Sequence, residues 1–328
     1  MKPIYVLGLG KYKKMGKEIL SLLKNNLCTN SWPVPNSVVE ELAMQRKVFP
    51  DGEVYNKLDT DVRNADVVIV SGTIDDSHTL ELYDVCCAIA KYGANSLHIV
   101  IPYFSYSTME REVLAGEVVK AKTRARLLSV IPATTNGNHV YFLDLHAEGI
   151  PFYLEGNLKS KHIYAESITI QAISDAAKGK EYVVASTDAG RAKWVESLAK
   201  KLNVPASFCL KHRNPDGTLS LSAVSAHVEG KHVVIYDDMI RTGGSLLQAA
   251  KAYLAAGATS VDAVTTHAIL PGKSLAKILK SKAINKIHAT DSHPRAVMLA
   301  RSNKNLHIHS VAQTIVDGLL KTMQIQKD

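Results

Sequence analysis

The sequence predicts an α/β protein of two similar domains, each a mainly parallel sheet flanked by helices. Three observations predict this fold class. The chain has 328 residues, a length typical of two domains of about 150 residues each. Continuous apolar, β-branched runs alternate with amphipathic stretches, as expected of parallel strands covered on both faces. The two halves also resemble each other, because each contains a strand, an acidic or hydroxyl-rich turn, and then a helix.

Strands and helices are predicted in alternation along the chain. The predicted strands are Ile4–Leu7, Val67–Val70, Leu97–Ile101, Val140–Leu143, Tyr182–Ser186, Val233–Tyr236, Ser260–Thr265 and Leu306–Ser310. The predicted helices are His78–Tyr92, Leu114–Ser129, Ser167–Ala177, Arg191–Leu202, Ser245–Ala256, Leu275–Lys280 and Val311–Met323. We expect the first domain to span residues 1–160 and the second 161–305. The C-terminal segment 306–328 is expected to return to the first domain.

Composition excludes several functional classes. The net charge is +8, but the 39 Lys and Arg residues are scattered and not interleaved with aromatic residues, so no nucleic-acid partner is expected. There is no apolar run of about 18 residues, so no membrane span is expected. The four cysteines form no C-x-x-C pair, which argues against zinc. With no leader recognised, we expect a reducing, cytoplasmic location.

The segment Val233–Ser245, VVIYDDMIRTGGS, carries the strongest chemical signal. An apolar strand ends in two carboxylates, and a short glycine-containing loop leads into a helix. Ligands of open α/β sheets bind at the carboxyl ends of the strands. Glycines let the backbone approach an anion, and N–H groups at a helix start bind it. The carboxylates would repel phosphate, so we expect them to accept hydrogen bonds from sugar hydroxyls. The predicted ribose 5-phosphate residues are Asp237, Asp238, Arg241, Thr242, Gly243, Gly244 and Ser245.

The alternative for this segment is a tight strand-to-helix turn with acidic capping residues. Two adjacent acids followed by T-G-G-S exceed what such a turn needs, and the loop lacks the Walker pattern. The nine residues DDMIRTGGS resemble the 5-phosphoribosyl 1-diphosphate (PRPP) motif of type I phosphoribosyltransferases and PRPP synthetases. The resemblance implies that the loop binds the 5-phosphate and the acids bind the ribose.

Two segments in the first half resemble the ribose-phosphate pyrophosphokinase (PRPP synthetase) family. The segment Phe49–Glu53, FPDGE, is similar to its F-S-D-G-E nucleotide-binding turn. The segment Ile101–Arg111, IPYFSYSTMER, is similar to I-P-Y-F-x-Y-A-R-Q-D-R, but the family's Arg-Gln pair falls on Thr108 and Met109. Arg111 lies nearby in the sequence and is expected to compensate for the missing arginine charge. The resemblance implies these nucleotide-binding residues: Phe49, Asp51, Gly52, Glu53 and Arg111.

Three further segments extend the resemblance. In FLDLHA and STDAGRAK the resemblance implies that His146 and Asp188 are metal-associated, and Arg191 replaces a glycine of the second motif. In Lys211-His212-Arg213 it implies two catalytic residues, Lys211 and Arg213, on a flexible loop. The polar segment that follows, Asn214–Glu229, is expected to be a mobile lid.

The resemblance implies a divergent ribose-phosphate diphosphokinase with a phosphoribosyltransferase fold. Such an enzyme transfers the diphosphoryl group of ATP to the C1 hydroxyl of ribose 5-phosphate, giving PRPP and AMP, with Mg²⁺, as a homo-oligomer (dimer or hexamer). Two alternatives stay open. One is a PRPP-using phosphoribosyltransferase, and the other is a non-catalytic PRPP-synthetase-like regulatory protein.

Two weaker motifs are interpreted as turns. Gly8-Leu9-Gly10 follows a predicted strand, but Lys13 stands where a dinucleotide-binding motif needs its third glycine. The segment Thr290–Pro294, TDSHP, has polar groups that suit a site, and its proline favours a turn.

Overall fold

The computed structural model describes residues 2–28, 38–213, 219–224 and 227–325. Its backbone contacts divide the chain into two units, the first comprising Met1–Tyr164 and Ala312–Asp328 and the second Ala165–Val311. Each unit contains its own parallel sheet. The predicted α/β fold class is confirmed. No helix in the described ranges is long and apolar enough to cross a membrane.

The first unit contains a sheet of six described strands in the order β2-β1-β5-β6-β7-β8, with every pair parallel. Strands β3 and β4 form a separate antiparallel hairpin. The central strands β6 and β7 are buried throughout, as their continuous apolar sequences predict. The elements are β1 (Ile4–Gly8), α1 (Lys13–Cys28), β2 (Val39–Glu41), β3 (Met44–Val48), β4 (Val54–Leu58), β5 (Asp66–Val70), α2 (Asp76–Lys91), β6 (Ser96–Ile101), α3 (Lys120–Ser129), β7 (Asn138–Leu143) and β8 (Leu158–Ile163).

The second unit contains a sheet of seven described strands in the order β11-β10-β9-β12-β13-β14-β15. All pairs are parallel except β10 with β11. The elements are α4 (Glu166–Ala177), β9 (Tyr182–Ser186), α5 (Ala192–Leu202), β10 (Ala206–Arg213), β11 (Leu219–Val224), β12 (His232–Ile240), α6 (Gly244–Ala255), β13 (Ser260–Ala268), α7 (Ser274–Lys280), β14 (Ile287–Thr290), α8 (Pro294–Ala300) and β15 (Leu306–His309).

The C-terminal segment differs from the prediction in one respect. Strand β15 pairs in parallel with β14 and so extends the second sheet instead of returning to the first unit. Only the last helix, α9 (Ala312–Ile325), belongs to the first unit, where it packs on α1 and β8. Its apolar face explains this position, because Ile315, Val316 and Leu319 are fully buried there.

Two other predicted segments have different structures. The helix predicted from Leu114 begins at Lys120, because the preceding residues form a loop held by carboxylates. Glu117 accepts backbone N–H bonds from Val113 and Leu114, at 2.8 and 3.2 Å, and these compete with helix hydrogen bonds.

The predicted domain boundary between residues 160 and 161 falls inside strand β8. In the structure the two units divide after Tyr164.

The Gly8-Leu9-Gly10 motif forms a turn, as interpreted from the sequence. Helix α1 crosses β1 so closely that a Cβ on Gly8 would lie 2.9 Å from the Cα of Lys13. A Cβ on Gly16 would likewise lie 2.7 Å from the backbone of Gly8. These two glycines are therefore explained by helix–strand packing.

Candidate functional site

The second sheet has a topological switch point between β9 and β12. The chain leaves β9 through α5 to reach β10 on one side, whereas β12 pairs with β9 on the other side. Ligands of open α/β sheets bind at the carboxyl ends of the strands at such a point. The register pairs Tyr236 with Ser186, so the residues that follow them, Asp237 and Thr187, lie next to each other. The predicted ribose-binding acids are therefore at the position that the topology favours for a ligand.

The two acids lie at the end of β12, where Asp237 is half-buried. Asp238 is almost fully buried, and Asp237 accepts a hydrogen bond from the hydroxyl of Thr187 at 3.2 Å. Burial, followed by the charge and the hydrogen bond of Asp238, raises the pKa of Asp237 to about 7. The positive charge of Arg191 and the bond from Thr187 act in the opposite direction. The pKa of Asp237 is therefore raised above that of an ordinary aspartate.

The turn after β9 brings Asp188 and Arg191 to this edge. The carboxylate of Asp188 caps a short 3-10 helix, Ala189–Arg191, by accepting the N–H of Gly190 at 2.9 Å. The next side chain, Arg191, forms an ion pair with Asp238 at 2.7 Å between Nη2 and Oδ2. The replacement of the family glycine by Arg191 therefore has a direct structural consequence, because it gives a predicted ribose-binding acid a cationic partner.

The predicted phosphate loop has the geometry of an anion site. Gly243 has φ +78° and occupies the N-cap of α6, where it offers no side chain to the first N–H groups. Thr242, Gly244 and Ser245 are exposed around this helix start. Uncapped N–H groups and the positive end of the helix dipole favour an anion such as phosphate.

A layer behind the phosphate loop holds it in place. A Cβ on Gly243 would overlap the side chain of Ile278 in α7, so that residue lies directly against the loop. The N–H groups of Ile269 and Leu270 both donate to the carbonyl of Ile240, at 2.9 and 3.2 Å. Arg295 in turn donates from Nε to the carbonyl of Leu270 at 2.7 Å. The loop thus depends on the segment after β13 and on Arg295.

Arg295 was not identified from the sequence, although the Thr290–Pro294 segment just before it was noticed. In the structure this segment connects β14 to α8. The hydroxyls of Thr290 and Ser292 both donate to the carbonyl of Thr266 in β13, at 2.7 and 2.9 Å. The polar residues of this segment were the available signal, and in the structure their hydroxyls support β13.

The predicted catalytic residues Lys211 and Arg213 lie on a strand. Strand β10 runs beside β9, with Phe208 opposite Ser186, and continues to Arg213. It then pairs with β11, Lys211 opposite Leu221 and Arg213 opposite Leu219. The expected lid is therefore in part a β-hairpin, because the backbone of both arms is satisfied by ladder hydrogen bonds. Residues 214–218 and 225–226 of that lid lie outside the described residues.

In the first unit, the predicted nucleotide turn is the tip of the β3–β4 hairpin. The carboxylate of Asp51 accepts the N–H of Glu53 at 3.0 Å, and Phe49 and Glu53 are joined by a backbone hydrogen bond of 2.9 Å. Gly52 has φ +94° and completes the turn. Phe49 is 36% exposed, and the Nζ of Lys47 lies 5.0 Å from the centre of its ring. The D-G turn explains the local structure, and the exposed aromatic ring is compatible with the nucleotide role.

The loop after β6 departs from the family at the positions that the sequence indicated. Thr108 and Met109 are both exposed, and Arg111 has a side chain that is 77% exposed and 3.5 Å from Glu110. The sequence did not predict a role for two other cations at this loop. Lys120 and Arg124, from the first turns of α3, lie 4.6 and 5.3 Å from the ring centre of Tyr106.

His146 follows β7 in a turn that is anchored to β8. The N–H of Asp144, a residue with φ +40°, donates to the carbonyl of Ile163 at 3.0 Å. The next N–H, of Leu145, donates to Nε2 of His162 at 2.9 Å. These bonds hold the turn, and with it His146, at the carboxyl edge of the first sheet.

The described residues contain no group of three His, Cys, Asp or Glu side chains able to hold a metal. A dedicated protein cage is thus not formed in the described parts of the chain. The two expected residues lie in different units, His146 in the first and Asp188 in the second, and each is of a type that can contribute to a magnesium ion that keeps most of its ligands as water and phosphate.

Comparisons with known proteins agree with this geometry. Residues 4–131 match the model of the N-terminal domain of ribose phosphate pyrophosphokinase, and residues 158–290 match that of the phosphoribosyl transferase domain. A ribose-phosphate pyrophosphokinase of Caldanaerobacter subterraneus subsp. tengcongensis is 30% identical over 277 residues, covering 83% of this chain and 84% of the relative. The chain belongs to the ribose-phosphate pyrophosphokinase family. The resemblance found in the motifs is confirmed.

Other members of the ribose-phosphate pyrophosphokinase family support the assignment. The enzyme of Thermosipho africanus is 33% identical over 249 residues, which are 74% of this chain and 76% of that protein. The crystal structure of phosphoribosylpyrophosphate synthetase from Mycobacterium smegmatis has the same fold, with a TM-score of 0.80, 20% identity and 99% of both chains covered. The family assignment makes this chain a transferase.

Proposed function

We propose that this chain is a ribose-phosphate diphosphokinase that converts ATP and ribose 5-phosphate to PRPP and AMP. The observation that carries the proposal is the pairing, at one switch point, of an acidic strand end with an uncapped helix N-terminus. The first suits ribose hydroxyls and the second suits a 5-phosphate. In the reaction, the C1 hydroxyl oxygen attacks the β-phosphorus of ATP, the bond from that phosphorus to the α-phosphate oxygen breaks, and the hydroxyl proton is released.

The ribose 5-phosphate site follows from the second unit. Asp237 and Asp238 would accept from the ribose hydroxyls, and residues 241–245 would hold the 5-phosphate through backbone N–H groups and hydroxyls. The left-handed Gly243 and the fixed start of α6 order these groups before the ligand arrives. Such positioning is the main protein contribution to phosphoryl transfer.

The nucleotide site is proposed for the first unit. Phe49 would stack on the base, with Asp51, Gly52 and Glu53 forming the turn around it, and Arg111 would meet the phosphates. The exposed guanidinium of Arg111 and the ring of Phe49 support these roles. Lys120 and Arg124 would be additional cations for the triphosphate, because they lie beside the same loop, where Arg124 forms an ion pair of 2.7 Å with Asp76.

Charge neutralisation is assigned to four residues. His146 in the first unit and Asp188 in the second would each associate with Mg²⁺, which neutralises phosphate charge when bound. Lys211 and Arg213 would stabilise charge on the β-phosphate as the bond to the α-phosphate breaks. The position of β10 next to β9, at the switch point, supports this assignment.

The test is a coupled product assay on the purified protein. Protein, Mg²⁺, ATP and ribose 5-phosphate are mixed, and AMP and PRPP are measured; equal amounts of the two products are expected. Consumption of added PRPP with a base, in place of its formation, would indicate a phosphoribosyltransferase. Binding of both substrates without any turnover would indicate a non-catalytic homologue. We further propose a cytoplasmic homo-oligomer, a dimer or hexamer, which light scattering tests.

A further inference from the structure

The ion pair between Arg191 and Asp238 is unusual because of where it lies. The side chain of Asp238 is only 5% exposed, whereas the side chain of Arg191 is 28% exposed. The two residues come from the turn after β9 and from the end of β12, the adjacent strands that frame the proposed ribose site. Arg191 is therefore built into the sugar side of the site.

The acidic pair needs a counterion before an anion can bind beside it. Asp237 and Asp238 are adjacent in sequence, Asp238 is buried and Asp237 is half-buried, and burial together with the charge of Asp238 raises the pKa of Asp237. The phosphate loop at 241–245 begins only three residues after Asp238. A doubly charged phosphate there would be repelled by two uncompensated carboxylates, because charges interact strongly at short range in a low dielectric.

Arg191 meets this need from within the chain. A guanidinium stays protonated and forms short, charge-assisted bonds to carboxylates. Its 2.7 Å contact neutralises Asp238 and opposes the rise in the pKa of Asp237. The hydrogen bond from the hydroxyl of Thr187 likewise opposes the rise in the pKa of Asp237. The site can thus hold two carboxylates and still present a weakly negative surface to a sugar phosphate.

We infer that Arg191 is a resident counter-cation of the ribose site, so that ribose 5-phosphate binds this chain without a divalent cation. The inference rests on the proposed function and deepens it, since it assigns a specificity-determining residue to the sugar-phosphate half of the site. It concerns binding only, and the metal requirement of the transfer step is separate.

The experiment is calorimetric titration of ribose 5-phosphate into the full-length protein, in EDTA and in excess Mg²⁺. The native protein should bind with dissociation constants that differ by less than about threefold between the two conditions. Arg191→Gln should bind about tenfold or more weakly in EDTA, with partial recovery in Mg²⁺. Arg191→Lys keeps the charge, and its dissociation constant in EDTA should lie between those of the native protein and Arg191→Gln. Lys193→Gln, which removes an exposed cation two residues away, is the matched control and should behave as the native protein.

Two results would overturn the inference. One is native binding that disappears in EDTA, and the other is Arg191→Gln binding in EDTA as tightly as the native protein. If Arg191→Gln has a much lower melting temperature, the double variant Arg191→Gln/Asp238→Asn removes both charges of the pair. It should bind more tightly in EDTA than Arg191→Gln, and equal or weaker binding would contradict the inference.

The product assay separates this inference from the proposed function. A protein that binds ribose 5-phosphate in EDTA but forms no PRPP would support the counter-cation and refute the diphosphokinase. A protein that forms PRPP but binds the sugar phosphate only with Mg²⁺ would support the diphosphokinase and refute the counter-cation.

Discussion

Arg295 and Leu270 are joined by a hydrogen bond of 2.7 Å from the guanidinium Nε to the backbone carbonyl. A second bond, from Nη2 to the carbonyl of Gly272, measures 3.1 Å. Leu270 is fully buried and has φ +44°, a conformation that costs free energy in a non-glycine residue. Since the N–H of Leu270 donates to Ile240, next to the phosphate loop, the fork of Arg295 positions the base of that loop.

The first prediction concerns this fork. Arg295→Ala should lower the free energy of unfolding by about 1.5–3 kcal/mol, the usual contribution of hydrogen bonds from a charged group. It should also weaken ribose 5-phosphate binding, because the loop loses its support. Denaturant unfolding and calorimetry check both effects. Arg301→Ala, an exposed arginine at the end of α8, is the control and should change neither.

Gly243 and Gly244 should respond differently to the same substitution. Gly243→Ala places a Cβ at φ +78° and against Ile278, so the free energy of unfolding should fall by more than about 2 kcal/mol. A Cβ on Gly244 meets nothing closer than 3.9 Å, and Gly244→Ala should leave stability unchanged or raise it by up to about 1 kcal/mol. Melting temperatures of the two variants check this, and equal effects would contradict the loop geometry described.

The stability of the fold should depend on pH through Asp237. Its pKa of about 7 in the folded protein lies above the ordinary value of 3.8, so between these values the folded state binds more protons than the unfolded state. Stability is then lost as pH rises through this window. Asp237→Asn cannot ionise, so its stability gain over the native protein should be larger at about pH 8 than at about pH 5. Urea unfolding at both values measures the difference, and a gain independent of pH would argue against a raised pKa.

Lys211 should matter for turnover more than for sugar binding. Lys211→Ala should lower kcat by about a hundredfold or more, as expected when a charge that stabilises the transition state is lost. The affinity for ribose 5-phosphate should largely survive, since residues 237–245 are untouched. Steady-state kinetics with both substrates and calorimetry provide the test. Unchanged turnover would remove Lys211 from the catalytic assignment, and Lys211→Arg, which keeps the charge, should retain part of the activity.

Thr108 and Met109 should weaken ATP binding in the native protein, or shift preference to another nucleotide. Restoring the family residues with Thr108→Arg/Met109→Gln should lower the KM for ATP by about tenfold, because an arginine fork binds phosphate through charged hydrogen bonds. Val113→Gln, in the same exposed loop, is the control and should have no effect. Tight native ATP binding would indicate that Arg111, Lys120 or Arg124 already replaces the missing pair.

Much of the fold was predictable because it depends on local patterns. The predicted strand Tyr182–Ser186 has the predicted bounds, and the helix predicted from Ser245 starts one residue earlier. Strands β2, β3, β4, β8, β10, β11 and β14 were missed. Strands β2, β3, β4 and β8 are edge or hairpin strands with mostly polar residues and no continuous apolar run, whereas β14 is buried but only four residues long. The predicted start of α3 was wrong because the spacing of apolar residues carries no information about side-chain hydrogen bonds to the backbone. The carboxylate of Glu117 accepts the N–H of Val113, and this bond keeps the preceding segment in a loop.

The sequence by itself determined the fold class, the family and the location of the ribose-phosphate loop, because DDMIRTGGS and the alternating apolar runs are contiguous signals. Only the tertiary structure decided which side chains act on that loop. It paired Arg191 with Asp238, set Thr187 beside Asp237, and placed Arg295 behind Leu270. These partners lie 47, 50 and 25 residues apart in sequence. Such contacts depend on strand order and register, which local residue patterns do not encode.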